Sequence, residues 1–292
     1  MVDEGLIRTN GLPGIVAHGG SSVLAMTGEF AQNSRAGIID ALEKDVDVVE
    51  MDVVACKDGW VVSHDRKLEV ATVACGLTTD LTQKELQQIE YRLKNGQPSG
   101  EKIMTLVQAL KLVSAHRRDN PRPVTVKLDI KFSDQDLEQG LIDILEACEL
   151  PIEQVLMTSQ VFSTEERIHR LCPNLPLELN TASTNLYLAA YGLMDKELMP
   201  GLFVDYVRNY APRLNAKTVS LMRYAMDSWG EIVASKLIHG VRQLGLETQV
   251  WTIGSLAELR RYAALGATYI LMDKPKLIAE AVALKQASNP EG

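Results

Sequence analysis

The feature that most constrains the fold of this chain is a regular alternation between short apolar runs and longer amphipathic runs. The apolar runs are rich in β-branched residues and almost continuously apolar, which is typical of strands in a covered parallel sheet. The amphipathic runs repeat apolar residues every three or four positions, which indicates helices packed on such a sheet. The predicted strands are 14–18, 46–55, 124–132, 154–160, 176–181, 201–207, a weaker 218–225, 247–253 and 267–273.

The amphipathic runs carry helix start and stop signals at their ends. Thr105 and Ser133 stand at the start of two of them, where a side-chain oxygen can cap the first free backbone N–H groups. Gly245 and Gly266 end two others, as expected for the residue that often terminates a helix. The predicted helices are 34–45, 105–118, 133–148, 163–172, 235–245 and 255–266.

The number of strands favours a closed barrel. Eight strands, or nine if 218–225 is independent, alternate with helices and imply a parallel sheet covered on its outer face. Because no linker divides the chain, we predict one (β/α)8 TIM barrel over residues 1–292, with flexible ends at 1–13 and 286–292. An open, doubly wound sheet is the alternative. In a barrel, the active site lies at the carboxyl-terminal rim of the strands.

Charge and hydropathy argue against two classes of partner. The 292 residues include 30 basic and 38 acidic side chains, a formal net charge of −8, so the chain lacks the basic surface that nucleic-acid binding needs. No apolar run approaches the ~20 residues of a membrane span. The amino-terminal stretch also lacks the layout of a signal peptide. We therefore expect no nucleic-acid partner and no membrane span.

Cysteine usage predicts the redox environment. Cys56, Cys75, Cys148 and Cys172 are widely spaced and form no CxxC motif. Such thiols are typical of a reducing compartment, and their spacing does not match a metal site. We predict four free thiols and a cytoplasmic location.

Two predicted strands place pairs of polar side chains on one face. Glu50 and Asp52 are two residues apart in "EMD", and Asp129 and Lys131 are two apart in "DIK". Side chains at that spacing in a strand point the same way, so three carboxylates would converge at the rim of a barrel. A divalent cation relieves their repulsion, and oxygen ligands suit Mg²⁺ or Ca²⁺. Each pair alone also fits a solvated strand face or an ion pair within a strand.

Two histidines end extended runs. His18 ends the first predicted strand, before two glycines, and His64 ends "GWVVSH". Together with a metal and a lysine, two histidines can perform phosphoryl chemistry, in which one removes a proton from the nucleophile and the other protonates the leaving alkoxide. Alone, each histidine also fits a structural role in a turn.

These stretches occur in the order of a known set of motifs. Members of the glycerophosphodiester phosphodiesterase family carry HRG, PENT, ExD, KDG, HD, DLTxxEL, ExK, WT and TDxP along the chain. The sequence resembles this family over roughly residues 14–285, and the family is part of the barrel superfamily that includes phosphatidylinositol-type phospholipases C. The corresponding stretches are AHGG (17–20), AQNS (31–34), EMDV (50–53), KDGWVVSHD (57–65), DLTQKEL (80–86), LDIK (128–131), VWTI (250–253) and LMDKP (271–275).

The resemblance implies a role for each matched residue. Asp129 stands where the family usually has a glutamate, a conservative change, and Trp251 fits either the wall beside the substrate alcohol or a packing position. The implied site consists of the acid/base pair His18 and His64, the ligands of one Mg²⁺ or Ca²⁺ (Glu50, Asp52 and Asp129), and the substrate-binding residues Lys131, Trp251 and Gln32.

Two departures from the motifs concern the phosphate-binding side of the site. The arginine of HRG, a bidentate phosphate clamp, is replaced by Gly19, and Arg208 and Arg223 are candidate replacements because they are expected near strand ends. The glutamate of PENT is replaced by Gln32, and Glu29, in a longer preceding loop, is a candidate substitute acid.

The residues and the resemblance together predict metal-dependent cleavage of a small soluble phosphodiester, either a glycerophosphodiester or a sugar phosphodiester. Three alternatives stay open. The phospholipase D toxins of the superfamily lack the HRG arginine and use DxK, as this chain does, so a lyase that forms a cyclic phosphate is one alternative. A phosphodiester-forming transferase similar to agrocinopine synthases is the second, and a non-catalytic sugar-phosphate-binding protein is the third. The sequence does not predict the oligomeric state.

Overall fold

The fold is described from a computed structural model, which defines residues 12–20, 30–93, 95–119, 124–132, 137–181 and 197–288. Glu29, Ser133 and most of the expected flexible ends lie outside these described residues. The described strands are β1 (Gly14–Ala17), β2 (Val48–Cys56), β3 (Gly59–Val62), β4 (Glu90–Arg92), β5 (Pro98–Lys102), β6 (Thr125–Phe132), β7 (Val155–Ser159), β8 (Leu177–Asn180), β9 (Ala216–Met222), β10 (Glu247–Ile253) and β11 (Tyr269–Met272).

Eight of these strands form a closed parallel barrel. The order of hydrogen-bonded neighbours is β1, β11, β10, β9, β8, β7, β6 and β2, and β1 also pairs with β2. Val16 shows the closure, because it pairs with Leu271 of β11 on one side and with Val48 of β2 on the other. The predicted (β/α)8 barrel is confirmed. The open, doubly wound alternative is wrong because such a sheet has two free edges, whereas these eight strands close on themselves.

Helices follow the barrel strands and cover the outside of the sheet. The described helices are α1 (Arg35–Glu43), α2 (Leu68–Ala71), α3 (Gln83–Leu86), α4 (Leu106–Asp119), α5 (Glu138–Ala147), α6 (Phe162–Leu171), α7 (Met199–Leu214), α8 (Arg223–Trp229), α9 (Glu231–Gln243), α10 (Leu256–Ala264) and α11 (Pro275–Ala287).

The predicted helix ends have the expected local chemistry. The backbone N–H of Gln108 donates to Oγ1 of Thr105 (3.2 Å), and the backbone N–H of Thr105 donates to Oε1 of Gln108 (3.0 Å). This reciprocal pair satisfies two donors at the start of α4. Gly245 and Gly266, after α9 and α10, have φ angles of +79° and +88°, a region that glycine enters without steric cost.

The strand predicted over 201–207 is wrong, because this stretch lies inside helix α7. Its apolar residues are part of a longer set at helical spacing, and that set forms the buried face of α7. A short apolar run does not distinguish a buried strand from a buried helix. The buried residues of this helix include Met199, Phe203, Val207, Ala211 and Leu214.

The main core lies between the barrel and the surrounding helices. Ile38, Leu110, Ile168 and Leu237 come from four of these helices and are all fully buried in one apolar cluster with outward-facing strand residues. Burying an aliphatic side chain of this size contributes about 1.5–3 kcal/mol, so this layer holds the helices on the sheet.

A separate apolar cluster lies inside the barrel. It consists of Val16, Val48, Tyr269 and Leu271. Val48 precedes Glu50 by two residues on the same face of β2, so the cluster lies below the level at which Glu50 enters the barrel. The interior is therefore apolar towards the amino-terminal ends of the strands and becomes polar towards the carboxyl-terminal rim.

Two further sequence predictions can be compared with the described residues. All four cysteines are free thiols, as predicted. None of the described helices combines the length and the apolar composition needed to cross a membrane.

Candidate active site

Three buried carboxylates meet at the carboxyl-terminal rim of β2 and β6. Glu50 and Asp52 project from one face of β2, and Asp129 is the direct neighbour of Asp52 on β6. One oxygen from each of the three carboxylates lies within 4.8 Å of the others. The predicted convergence of these acidic residues is therefore present in the structure.

Two amides orient the central carboxylate. Oδ2 of Asp52 accepts hydrogen bonds from Nε2 of Gln32 (2.7 Å) and from Nδ2 of Asn33 (2.8 Å), and the backbone N–H of Asp52 donates to Oδ1 of Asn33 (3.0 Å). Gln32 thus contacts Asp52 and does not line the cleft. Its amide holds a carboxylate in place, a role that a glutamate at the same position could not fill in its charged form.

Lys131 is the cation of this cluster. Its Nζ lies 2.6 Å from Oδ2 of Asp129 and 3.0 Å from Oδ1 of Asp52. Burial alone would lower the pKa of Lys131, but Asp52, Asp129 and Glu50 outweigh that effect and raise it above its usual value. Lys131 is therefore charged whenever the carboxylates are.

The carboxylates themselves do not share one protonation state. Burial and the neighbouring charge of Asp52 raise the pKa of Glu50 to about 7. Burial alone would also raise the pKa of Asp52, but Lys131, His64 and His18 outweigh it and lower that pKa to about 2. Near neutral pH, Asp52 is ionised, whereas Glu50 is close to the midpoint of its titration.

The donor set suits a hard divalent cation. Oδ1 of Asp129 is buried and accepts no hydrogen bond from the described residues, and leaving such a group unsatisfied is unfavourable. Three buried carboxylates beside one lysine also leave an excess of negative charge. Carboxylate oxygens are the ligands preferred by Mg²⁺ and Ca²⁺, so the residues present fit the predicted metal.

His18 lies in a turn that is fastened to Glu50. The backbone N–H of Gly19 donates to Oε2 of Glu50 (2.6 Å), and that of Gly20 donates to the carbonyl oxygen of Glu50 (2.9 Å). Gly20 has φ +78°, and a Cβ there would come within 2.8 Å of the backbone carbon of Gly37. This position accepts only glycine, so the turn holds His18 against the carboxylates.

An acidic residue from the far end of the chain orients the His18 ring. Nδ1 of His18 lies 2.7 Å from Oδ1 of Asp273, which leaves Nε2 as the ring nitrogen available to a substrate. Burial alone would lower the pKa of His18, but Glu50, Asp273 and Asp52 outweigh it, and the pKa is raised from its usual value. The positioning role of Asp273 was not predicted from the sequence.

A hairpin outside the barrel brings His64 to the same level. Strand β2 continues four residues past Asp52, and β3 returns antiparallel beside it, with Val53 paired with Val62. The backbone N–H of Ser63 then donates to the carbonyl oxygen of Asp52 (3.0 Å). His64 follows immediately, and its Nδ1 lies 2.9 Å from Oδ2 of Asp65.

The histidines and the carboxylates share one cleft. Its cavity volume is about 130 Å³, below the range of pockets for drug-sized ligands, so the enclosed part holds only a small group. Of the residues singled out in the sequence, the cleft is lined by His18, His64, Glu50, Asp129, Lys131 and Trp251.

The sequence allowed Trp251 either a place in the wall of the site or a packing position, and the structure shows both. It lines the cleft, and it also packs against the apolar cluster inside the barrel. Its Nε1 is buried and donates no hydrogen bond to any described residue. Buried polar atoms in folded proteins are usually paired, so this N–H is an exception.

Neither candidate arginine reaches the cleft. Arg208 lies on α7, where its side chain is 56% exposed and paired with Asp205. Its expected place near a strand end is wrong because 201–207 is helical. Arg223 does follow a barrel strand, but it contacts the carbonyl oxygen of Thr252 and the carboxylate of Glu258. The described residues therefore provide no arginine in place of the one that Gly19 replaces.

Sequence reasoning missed a further set of polar residues that line the cleft. The available signal was a charged or amide residue within an otherwise apolar strand, two positions before a motif residue. Lys127 precedes Asp129 in this way, and Gln249 precedes Trp251. The missed residues that line the cleft are Lys127, Gln160, Glu178, Asn180, Ser220 and Gln249.

The sequence model of the Glycerophosphoryl diester phosphodiesterase family matches residues 25–277. The chain belongs to this family. Family membership places it among the phosphoric diester hydrolases. A family relative from Caldanaerobacter subterraneus, named glycerophosphodiester phosphodiesterase, is 23% identical over 273 residues, which cover 92% of this chain and 97% of the relative.

Solved structures of similar proteins have the same fold. A glycerophosphodiester phosphodiesterase from Agrobacterium tumefaciens strain C58 is 18% identical with a TM-score of 0.68, and the match covers 92% of this chain and all of that one. A phosphodiesterase from Oleispira antarctica, solved in complex with the product sn-glycerol-3-phosphate, is 20% identical with a TM-score of 0.69 and coverage of 93% and 97%. At these identities the likeness concerns the barrel fold.

Proposed function

We propose that this protein hydrolyses a small glycerophosphodiester in a reaction that requires one divalent cation, Mg²⁺ or Ca²⁺. The observation that carries the proposal is the presence of His18 and His64 in one cleft with the cluster of Glu50, Asp52 and Asp129. Two proton-transfer groups beside a cation site are the requirements of phosphodiester hydrolysis.

Charge balance supports this substrate class. A phosphodiester carries one negative charge, and Lys131 projects into the cleft as the cationic neighbour of the carboxylates. Glu50, Asp52 and Asp129 would hold the divalent cation, which supplies further positive charge for the phosphoryl oxygens when it is bound. Lys131 then attracts the phosphodiester and stabilises the charge that builds up on its oxygens.

The two histidines move the protons. A water oxygen forms a bond to phosphorus while the bond from phosphorus to the alcohol oxygen breaks. His64 accepts a proton from the water, and His18 gives a proton to the departing alkoxide, so the charges balance. The raised pKa of His18 favours the proton-donor role, because the donor must be protonated before the reaction.

Trp251 forms part of the wall of the same cleft. We assign it to the alcohol portion of the substrate, with its ring as the apolar contact. The relatives named above support hydrolysis and give no support to the lyase, synthase or non-catalytic alternatives. The cytoplasmic location stays a prediction.

Analysis of the products tests the proposal. The protein is incubated with Mg²⁺ or Ca²⁺ and a panel of glycerophosphodiesters and sugar phosphodiesters, and the reactions are followed by ³¹P NMR. We expect a free phosphomonoester to form, and formation to stop when the cation is removed with a chelator. A cyclic phosphate would overturn the proposal in favour of a lyase, and a new diester from a monoester and a sugar would favour a synthase. Binding without any turnover would overturn it as well.

Histidine variants test the assignment of the acid/base pair. His18→Ala and His64→Ala are each expected to abolish turnover without weakening the binding of the cation, because neither ring is among the three carboxylate ligands. His239→Ala is the matched control, since His239 is exposed on α9. Near-normal rates in both active-site variants would show that the assignment is wrong.

A further inference from the structure

Strand β10 is irregular at the point where it reaches the cleft. On the side of β11, the pairing shifts by one residue between Val250 and Ile253. Trp251 and Thr252 therefore stand opposite the single residue Leu271. This arrangement is a β-bulge, which interrupts the ladder of backbone hydrogen bonds and changes the direction of the side chains on the bulged strand. On this side, the backbone around Trp251 is not held by regular strand pairing.

The other side of β10 stays regular and brings an arginine to the bulge. Trp251 is the direct neighbour of Met222 on β9, and Arg223 is the next residue along the chain. The side chain of Arg223 is only 12% exposed and does not line the cleft. Arg223 is thus largely buried beside the bulge, away from the space that a phosphate would occupy.

An ion pair holds the backbone that follows Trp251. Nε of Arg223 donates to the carbonyl oxygen of Thr252 (2.8 Å), and the backbone N–H of Gly254 donates to Oε2 of Glu258 (2.7 Å). The two side chains also bind each other, since Nη1 of Arg223 donates to Oε1 of Glu258 (2.9 Å). A carbonyl group and an N–H group of the same short segment are therefore attached to one ion pair.

Neighbouring groups fix the ion pair in turn. Nη1 of Arg223 also donates to Oδ2 of Asp227 (3.0 Å), while Oδ1 of Asp227 accepts from Arg261 (2.7 Å) and from the hydroxyl of Tyr262 (2.7 Å). The planar guanidinium group can donate in several fixed directions at once. Because its acceptors lie on three different elements, α8, α10 and β10, the side chain of Arg223 has one well-defined position.

The ring of Trp251 depends on this support from the backbone. Its Nε1 makes no hydrogen bond with the described residues, so no polar contact of its own fixes the ring. It packs against the apolar cluster inside the barrel, which includes Leu271, the residue opposite the bulge. Packing against an apolar surface has little directional preference, so the placement of the ring in the cleft wall follows from where the bulge holds its Cα.

We propose that Arg223 and Glu258 are positioning residues, which hold the bulge of β10 and thereby keep Trp251 in the wall of the cleft. The proposal rests on the proposed function, in which Trp251 contacts the alcohol portion of the substrate. It gives Arg223 a role that is exerted through another residue, in place of the phosphate contact expected from the sequence.

Fluorine NMR tests the position of the ring directly. The full chain is labelled with 5-fluorotryptophan, which gives resonances for Trp60, Trp229 and Trp251, and Trp251→Phe identifies the last of these. In the double variant Arg223→Met with Glu258→Met, which removes both charges together, we expect the Trp251 resonance to shift or broaden. The resonance of Trp60, on β3, should not change. An unchanged Trp251 resonance would overturn the proposal.

Steady-state kinetics test whether the ion pair acts through Trp251. A contact to the alcohol is made before and during the reaction, so its loss raises KM and changes kcat little. The double variant should raise KM about tenfold for the glycerophosphodiester that is cleaved fastest in the product panel. In a Trp251→Ala background it should have no further effect, because coupled residues are not additive. An equal rise in both backgrounds would contradict the proposal.

A second ion pair between helices provides the control. Arg213 on α7 pairs with Glu166 on α6, and neither residue lines the cleft. Arg213→Met with Glu166→Met should leave both KM and the Trp251 resonance unchanged. If the Arg223 and Glu258 double variant lowers only the Tm, and its KM and Trp251 resonance match the parent protein, the pair has a structural role and the proposal fails.

The two readouts separate this proposal from the proposed function. The resonance is measured without substrate, so a shifted Trp251 signal supports the positioning role even if no diester is turned over, in which case the proposed function fails alone. Turnover of diesters together with an unchanged Trp251 resonance leaves the proposed function intact and overturns the role of the ion pair.

Discussion

Nδ1 of His18 lies 2.7 Å from Oδ1 of Asp273, a residue 255 positions away in the sequence. His18 follows the first barrel strand and Asp273 follows the last, and these two strands are neighbours because the barrel closes. The contact fixes which ring nitrogen is left free to face the cleft and stabilises the protonated ring. Closure of the barrel thus completes the candidate acid/base pair.

We predict that Asp273→Asn lowers kcat by about 10²- to 10⁴-fold, as in other sites where a carboxylate that orients a catalytic histidine is removed. Asp273 raises the pKa of His18, so its loss lowers that pKa. If His18 donates a proton, the alkaline limb of the profile of kcat/KM against pH moves to lower pH. An unchanged profile would contradict a positioning role.

The leaving group distinguishes the two histidines. With bis(p-nitrophenyl) phosphate, the departing nitrophenolate needs no proton, so a proton donor contributes little. His18→Ala should then be far less impaired than with a glycerophosphodiester, whereas His64→Ala should be impaired on both substrates. Steady-state rates on the two substrates give the comparison. Equal losses in the two variants on both substrates would refute the division of roles.

Cation binding should depend on pH through Glu50. Its pKa of about 7 in the metal-free protein means that a proton occupies the carboxyl group at lower pH. The affinity for Mg²⁺ or Ca²⁺ should therefore fall as pH decreases below 7, by about tenfold per pH unit where proton and metal compete fully. Calorimetry in buffers of different ionisation enthalpy measures the released proton. Glu50→Gln should bind the cation more weakly and release no such proton.

The same shift affects the stability of the metal-free protein. The pKa of Glu50 is raised from 4.5 to about 7 on folding, so the folded state binds protons more tightly than the unfolded state in that interval. The contribution of Glu50 to the free energy of unfolding then decreases as pH rises from 4.5 towards 7. When the free energy of unfolding is measured with urea across that pH interval, the Glu50→Gln variant should not show this decrease.

Lys131→Met should separate cation binding from catalysis. The variant loses the charge that attracts the phosphodiester, so kcat/KM should fall by about 10²- to 10³-fold. It also leaves Asp52 and Asp129 without their cation, which should destabilise the metal-free protein by about 3 kcal/mol. Thermal denaturation with and without Mg²⁺ should show that the metal restores part of the loss. Lys236→Met, on the exposed side of α9, is the control.

The hydrogen bonds of Asp227 should make the stability of the folded protein depend on pH in the acid range. Its carboxylate accepts hydrogen bonds from Arg223 (3.0 Å), Arg261 (2.7 Å) and the hydroxyl of Tyr262 (2.7 Å). Burial alone would raise the pKa of Asp227, but these partners outweigh it and lower that pKa. The stabilisation is therefore present above the unfolded pKa of 3.8 and is lost as pH falls through the folded value.

Asp227→Asn should accordingly cost about 1–3 kcal/mol at neutral pH, and the difference from the parent protein should shrink at a pH below the folded pKa. Urea denaturation at neutral pH and at a pH below the folded pKa of Asp227 measures this difference in stability. A difference that does not depend on pH would mean that the carboxylate charge is not the source of the stabilisation.

The sequence predicted the barrel and the rim residues because both have local signatures. Strand periodicity placed Glu50 and Asp52 on one face of β2, and the structure has both of them in the buried cluster. The histidine at position 18 was recognisable from the strand and glycines around it. Such features depend on residues a few positions apart, which is the range over which backbone geometry is set.

The sequence predictions failed where tertiary packing determines the local structure or the partner of a side chain. The run 201–207 is apolar enough for a strand, and only the longer stretch around it shows the helical spacing of the face that α7 buries. Arg223 was predicted for the phosphate, yet it binds Thr252 and Glu258. The local sequence does not predict which of several hydrogen-bond acceptors a long side chain will contact.

By itself, the sequence determined the alternation of strands and helices, the residues that project from each strand, and the motif order that indicates the family. Only the tertiary structure decided which distant groups meet, such as His18 with Asp273, or Lys127 with Glu178 across the barrel interior. Local patterns encode the direction of a side chain. Its partner depends on strand order and barrel closure, which are properties of the whole chain.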